Sequence, residues 1–307
     1  MAQVENSSKR NFSILGNLTI RFRQCASVLA LIGCGTPHST STRLATGAGS
    51  AAKAVLADKP PGPATSELEP STPPLAELPT TLELDGFEPS VLRLATDRRP
   101  APLFVITHGA GGQAAWHCHH YEQMLGPTAG LLCLAGKRMV ARDPTRGFYY
   151  PDHMRLSDEL SAAHAAMFKK YSGALLGTTS VYIGYSQGAT MGVLAIAPHG
   201  DIWPRLALVE GGYDSWSSAL ARNFKDNGGQ RVLFVCGTEH CRKLAAQARS
   251  TLERTGVEAR LLTATNAGHR PDGPVAARVK EGLIWLLQGD PHYEDVLNHL
   301  NAAESSK

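Results

Sequence analysis

Ser180-Val181-Tyr182-Ile183-Gly184-Tyr185-Ser186-Gln187-Gly188-Ala189 joins a short apolar, β-rich run to the start of an apolar helical period. Within it, Gly184-Tyr185-Ser186-Gln187-Gly188 is a G-x-S-x-G pentapeptide with a strand before it and a helix after it. That context is what the motif's mechanics require. A sharp strand-to-helix turn forces the serine into a strained conformation, and small residues two before and two after it keep the turn from clashing. Ser186 is thereby lifted to the sheet edge. The helix N-terminus behind it supplies unpaired N–H groups and a positive dipole end, both favourable to a developing oxyanion.

Working outward, the pattern on both sides repeats the same alternation. Apolar β-rich runs stand at Pro102 to Thr107, Leu131 to Leu134, Leu206 to Val209, Arg231 to Val235 and Ala259 to Thr263, with helical periods at His153 to Tyr171, Cys241 to Thr255 and Gly273 to Leu287. Continuous apolar strands separated by helix-length crossovers predict an α/β fold, with a mostly parallel central sheet and helices on both faces. An antiparallel hairpin from about Thr81 to Ala95, turning at Asp85-Gly86, leads into it. One domain, residues 81–307, is expected.

Directly after the run ending at Thr107 comes His108-Gly109-Ala110-Gly111-Gly112. Glycines let backbone approach a substrate oxygen, so the N–H of Ala110 or Gly111 is a candidate oxyanion donor beside that of Gln187. A competing reading exists, because Gly109-x-Gly111-x-x-Ala114 also fits a dinucleotide fingerprint and Lys137-Arg138 could meet a 2′-phosphate, as in an NADP-dependent oxidoreductase. That alternative leaves the serine turn without a purpose. His269, in Ala267-Gly268-His269, follows the last apolar strand and precedes the final helical period. A serine first and a histidine last is a workable order for nucleophile and base.

These parts together resemble the α/β-hydrolase superfamily over roughly Leu82 to Gln288, in particular the small exported esterase-like members of bacteria. The resemblance implies a Ser186 nucleophile, a His269 base, an oxyanion hole from Ala110 and Gln187, and no cofactor. The acid departs from the family's pattern. Most members carry an Asp at the fourth position of a Gly-x-x-Asp after the strand equivalent to Arg231 to Val235, whereas Gly237-Thr238-Glu239-His240 has histidine there. Glu210, at the end of the preceding strand, occupies the alternative place used by some lipases and is the preferred acid. Glu239, Asp214 and Asp272 stay open.

The N-terminal segment speaks to location. Basic residues through Arg23 precede an apolar run from Cys25 to Gly33, too short to cross a bilayer but suited to a signal sequence. Leu31-Ile32-Gly33-Cys34 resembles a bacterial lipobox, which makes residues 1–33 a lipoprotein signal and Cys34 the lipidated, membrane-anchored N-terminus of an exported protein. The long stretch before Arg21 leaves the true start open. Residues 34–80, rich in Pro, Ser, Thr and Ala, read as a tether. Ser50-Ala51-Ala52-Lys53 within it matches an S-x-x-K spacing but lacks companion motifs.

Thirty Lys and Arg face 27 Asp and Glu, and omitting those before Cys34 leaves 26 against 26, so nothing favours nucleic-acid binding. The remaining cysteines, Cys118, Cys133, Cys236 and Cys241, are expected to pair as Cys118 with Cys133 and Cys236 with Cys241 in an oxidising compartment. His117-Cys118-His119-His120 looks like a metal cluster, but no H-E-x-x-H or paired carboxylate accompanies it, and no metal is expected. Phe148-Tyr149-Tyr150-Pro151 is placed in a loop that lines a pocket or packs beneath it. The reading is a monomeric serine hydrolase of an ester or amide. The alternative is a decayed hydrolase-fold protein that binds a ligand or cell-envelope partner without turnover.

Overall fold

The computed structural model describes residues 80–96 and 99–302. Cys25, the lipobox with Cys34, residues 34–79 of the tether and Ser50-x-x-Lys53 lie outside the described residues, while Thr80, expected to end the tether, opens the first strand. The first elements are β1 (Thr80–Leu82) and β2 (Ser90–Arg93), antiparallel with Thr81 opposite Val91, as the expected hairpin requires. There follow β3 (Ala101–Thr107), α1 (Ala114–Leu125), β4 (Gly130–Cys133), β5 (Lys137–Val140), β6 (Asp143–Tyr149), α2 (His153–Tyr171), β7 (Leu175–Tyr185) and α3 (Gln187–Ile196). The rest comprises β8 (Arg205–Val209), α4 (Ser218–Asp226), β9 (Arg231–Cys236), α5 (Glu239–Glu253), β10 (Glu258–Thr263), α6 (Pro274–Leu287) and α7 (Glu294–Ala302).

Eight strands form one sheet in the order β1-β2-β4-β3-β7-β8-β9-β10, parallel from β4 to β10. Strands this apolar form because both faces are covered. In β3, Leu103 and Val105 enter one core, with α2, α3, α4 and α5, while Phe104 and Ile106 enter the other, with α1, α6 and α7. The period of two inside a continuous apolar run is thus a division between two cores. Helix ends follow local chemistry. Asp152 caps α2 by accepting from the Arg155 N–H at 2.8 Å, and Thr238 caps α5 by accepting from the Cys241 N–H at 3.3 Å.

Sheet register positions what matters for chemistry. Gly184 pairs with Thr107, Tyr185 with Val209, and Val209 with Val235. The residues that leave these strands, His108, Ser186, Glu210 and Cys236-Gly237, therefore stand side by side at the carboxyl edge. Ligands of open α/β sheets bind there.

Two expectations need correction. The strand carrying the serine turn begins at Leu175, well before Ser180. More consequentially, the stretch taken as a loop after β4 is a hairpin, β5–β6, in a separate two-stranded sheet with an irregular register between Arg138 and Val140. Its strands are largely exposed and carry Pro144 and Gly147, so neither apolar periodicity nor composition announced them. Backbone pairing with the loop after β3 holds it in place: Gly111 N–H donates to Phe148 O at 2.8 Å and Phe148 N–H to Gly112 O at 2.9 Å.

Both expected disulfides are present. Cys118–Cys133 ties α1 to β4, and Cys236–Cys241 spans the turn from β9 into α5.

Candidate active site

Ser186 adopts φ 51° and ψ −114°, a positive φ that a non-glycine residue occupies only under constraint. Its N–H donates to Val209 O at 2.8 Å, its carbonyl accepts from Thr190 N–H at 2.9 Å, and Gly188 N–H donates to His108 O at 3.0 Å. The flanking glycines are sterically required. A Cβ on Gly184 would lie 2.7 Å from Ala189 Cα, and one on Gly188 would lie 2.5 Å from Thr107 Oγ1 and 2.7 Å from His108 O. Close backbone approach, rather than chain flexibility, is what selects glycine at both places.

His269 Nε2 lies 2.8 Å from Ser186 Oγ, and His269 Nδ1 lies 3.0 Å from Glu210 Oε2. The loop after β10 thus carries the imidazole back over the sheet edge. It is tethered there by Tyr185, whose hydroxyl donates to the His269 carbonyl at 3.2 Å and whose ring stands 5.5 Å from the imidazole.

Glu210 is 2% exposed and also holds a positive φ, 53°. Besides His269, its carboxylate accepts from the Gly237 N–H, from the Thr238 N–H at 3.1 Å and from Thr238 Oγ1–H at 3.0 Å. A buried carboxylate is tolerable only when donors surround it, and four do. The Thr238 hydroxyl serves twice, donating to Glu210 while accepting from the Cys241 N–H. The Gly237-Thr238 turn is a donor cradle for the carboxylate that follows the neighbouring strand. Cys236–Cys241 closes this turn covalently.

The other carboxylates lie elsewhere. Glu239 pairs with Arg242 and Lys243 on the exposed face of α5, and the Arg242 guanidinium holds its carboxyl below the ordinary value. Asp272 pairs with Arg270 two residues away, and Asp214 is exposed.

For oxyanion donors the structure distinguishes two candidates the sequence left equal. Gly111 N–H is engaged by Phe148 O, whereas neither Ala110 N–H nor Gln187 N–H has an acceptor among the described residues. Gly109 brings the loop against Ser186, since a Cβ there would lie 3.1 Å from Ser186 Cβ and 3.0 Å from the Tyr185 ring. The Gln187 side chain is pinned by Tyr150, whose N–H donates to Gln187 Oε1 at 2.9 Å. Tyr150 itself is buried, with its hydroxyl donating to Leu134 O at 3.0 Å. Of the three aromatic residues Phe148, Tyr149 and Tyr150, it therefore packs beneath the site.

His108 is buried beside the exits of β3 and β4, with its ring nitrogens 2.7 Å from Gly109 O and 2.8 Å from Ala135 O, and its one N–H donates to one of these two carbonyls. Burial lowers its pKa. The neighbouring histidine cluster is divided. Cys118 is bonded to Cys133, His119 faces Gln123 at 3.1 Å, and His117 is buried beside Tyr185 with its pKa lowered by burial to about 3. Among the described residues, the one group of three close metal-type ligands is Glu210, Cys236 and Cys241, and those two sulfurs are bonded to each other. Of the cationic pair noted for a 2′-phosphate, Arg138 makes an ion pair with Glu88 at 2.8 Å.

Sequence reasoning missed Thr238, Tyr185 and the β6 backbone as parts of the site. Tyr185 sits at the variable position of the pentapeptide, where the motif gives no guidance.

No protein-family model and no curated protein matches the chain. Solved structures do. A carboxylesterase from Mesorhizobium loti is 20% identical, with a TM-score of 0.50, covering 66% of this chain and 98% of that one. Est1E from Butyrivibrio proteoclasticus, solved with ferulic acid, is 16% identical at a TM-score of 0.51, covering 68% and 99%. A Thermus thermophilus protein is 16% identical at a TM-score of 0.51, covering 69% and 98%. The chain has the α/β-hydrolase fold.

Proposed function

We propose that the protein is a serine hydrolase of carboxylic esters, working through an acyl-enzyme. The observation that carries this reading is the continuous hydrogen-bonded line from Ser186 Oγ through His269 to Glu210. An ionised carboxylate only accepts, so its contact with Nδ1 keeps the imidazole proton there and leaves Nε2 to receive the serine proton. Ser186 Oγ then attacks the ester carbonyl as its proton passes to His269. The resulting imidazolium is stabilised by Glu210, and the oxyanion by the N–H groups of Ala110 and Gln187. Collapse of the tetrahedral intermediate breaks the bond to the leaving alkoxide, which takes the proton from Nε2. Water attacks the acyl-enzyme by the same route in reverse, regenerating Ser186. No step calls on a cofactor.

The absent Asp motivates the reading of a decayed binding protein, and the donor cradle around Glu210 answers that motive. Reaction with a fluorophosphonate probe separates the two, because only an activated serine is phosphonylated. Labelling of the parent chain that disappears in Ser186→Ala is expected. A folded parent that does not label would be the binder instead. Export with a lipid on Cys34, followed by a tether to residue 80, belongs to the same proposal, and two disulfides suit an oxidising compartment. Loss of palmitate incorporation in Cys34→Ala is the corresponding check.

A further inference from the structure

The β5–β6 hairpin has no role in the chemistry above except at its base, and its composition is unusual for an exposed ribbon. Between Lys137 and Tyr149 it carries four basic residues, Lys137, Arg138, Arg142 and Arg146, against one acid, Asp143. Arg138 is paired with Glu88, and the Asp143 carboxylate accepts from Thr145 of its own strand. Lys137, Arg142 and Arg146 are exposed and have no carboxylate partner among the described residues. Between them Met139 and Val140 are 52% and 45% exposed, two of the four large hydrophobic side chains left outside among the described residues. An apolar tip beside two unanswered cations, Arg142 and Arg146, suits neither a folded core nor a neutral surface.

We infer that this hairpin tip seats on an anionic lipid surface, with Met139 and Val140 entering the headgroup boundary and Arg142 and Arg146 on the phosphates. Charge complementarity selects the lipid. Each cation near such a surface strengthens binding by roughly fivefold, or about thirtyfold for two. The base of the hairpin is hydrogen-bonded to Gly111 and Gly112, so contact at the tip brings the mouth of the serine site to the membrane. Met139 lies close to that loop, its sulfur 3.8 Å from where a Gly111 Cβ would be. Resting on the proposed hydrolase activity, the substrate class becomes esters presented in a lipid surface.

The test uses the full chain with Cys25 and Cys34 replaced by Ser, Ala141→Cys labelled with an environment-sensitive fluorophore, and vesicles of phosphatidylcholine with or without phosphatidylglycerol. Blue-shifted emission shielded from an aqueous quencher is expected on the anionic vesicles, weakened at least tenfold in Arg142→Glu/Arg146→Glu and also lost in Met139→Asp. Hydrolysis of a short soluble aryl ester should be unchanged in the arginine variant. A label that stays water-exposed on anionic vesicles overturns the inference, as does a shift without vesicles that depends on protein concentration, which would mark a second copy as the occupant. Ser186→Ala must retain the shift. A parent that shows the shift but hydrolyses no ester would refute the hydrolase reading while leaving the hairpin's contact standing.

Discussion

Replacing Glu210 by Gln changes one atom and, by the geometry of its cradle, the tautomer of His269. Glu210 Oε1 receives two backbone donors, the N–H groups of Gly237 and Thr238. Neither can rotate into an acceptor, so the amide oxygen of a glutamine must stay at that position. Its NH2 group is then left at the place of Oε2, facing Thr238 Oγ1 and His269 Nδ1. The Thr238 hydroxyl can turn to accept, but the imidazole must present a bare Nδ1, which puts its proton on Nε2 opposite Ser186 Oγ. The base is then blocked. A wrong tautomer in otherwise intact geometry lowers kcat by about 10⁴-fold, roughly 5.5 kcal/mol of transition-state stabilisation. Steady-state turnover of an aryl ester by Glu210→Gln, with Glu239→Gln as control, measures it. The expected outcome is a collapse of kcat with little movement in KM, an unaltered control, and a melting temperature within a few degrees of the parent. A Glu210→Gln enzyme retaining more than a tenth of parental kcat would refute the assignment of the acid.

Two further outcomes follow from groups away from the serine. Glu159 on α2 is buried, accepts from the Gly136 N–H at 3.0 Å, and has its pKa raised by burial from an ordinary 4.5 to about 7. With the folded-state value above the unfolded one, the native chain binds the extra proton. The associated stability, on the order of 3 kcal/mol, is present in full below about pH 4.5 and is lost as pH rises through about 7. Denaturant midpoints between pH 5 and 8 should fall in the parent and flatten in Glu159→Gln; equal slopes would contradict it. The two disulfides should separate stability from turnover. Opening Cys118–Cys133 releases a 15-residue closure and costs about 3 kcal/mol by thermal melting. Replacing Cys236 and Cys241 by Ser should cost about 2 kcal/mol while lowering kcat about tenfold, because it loosens Thr238; a purely thermal effect would show the brace to be irrelevant to Glu210.

The legible parts of the molecule are those where one side chain type is forced by one physical demand. Apolar runs announced the parallel strands because both faces are covered, and Gly184 and Gly188 announced the turn because a Cβ at either would strike neighbouring backbone. Glu210 could be preferred but not chosen, since its claim depends on the Gly237 and Thr238 donors, a contact between loops of adjacent strands that no local pattern encodes. The hairpin β5–β6 was illegible for a different reason. Its strands are held by backbone bonds to Gly111 and Gly112, and backbone bonds place few demands on side chains. For the same reason Gly111 kept a place among the oxyanion donors until its N–H was found facing Phe148.

Because Ser186 and Glu210 leave adjacent parallel strands at neighbouring rungs, Tyr185 beside Val209, their spacing comes from the ladder and not from the loops that follow. The distance between Ser186 and Glu210 is therefore set by strand register and tolerates changes in the length of those loops.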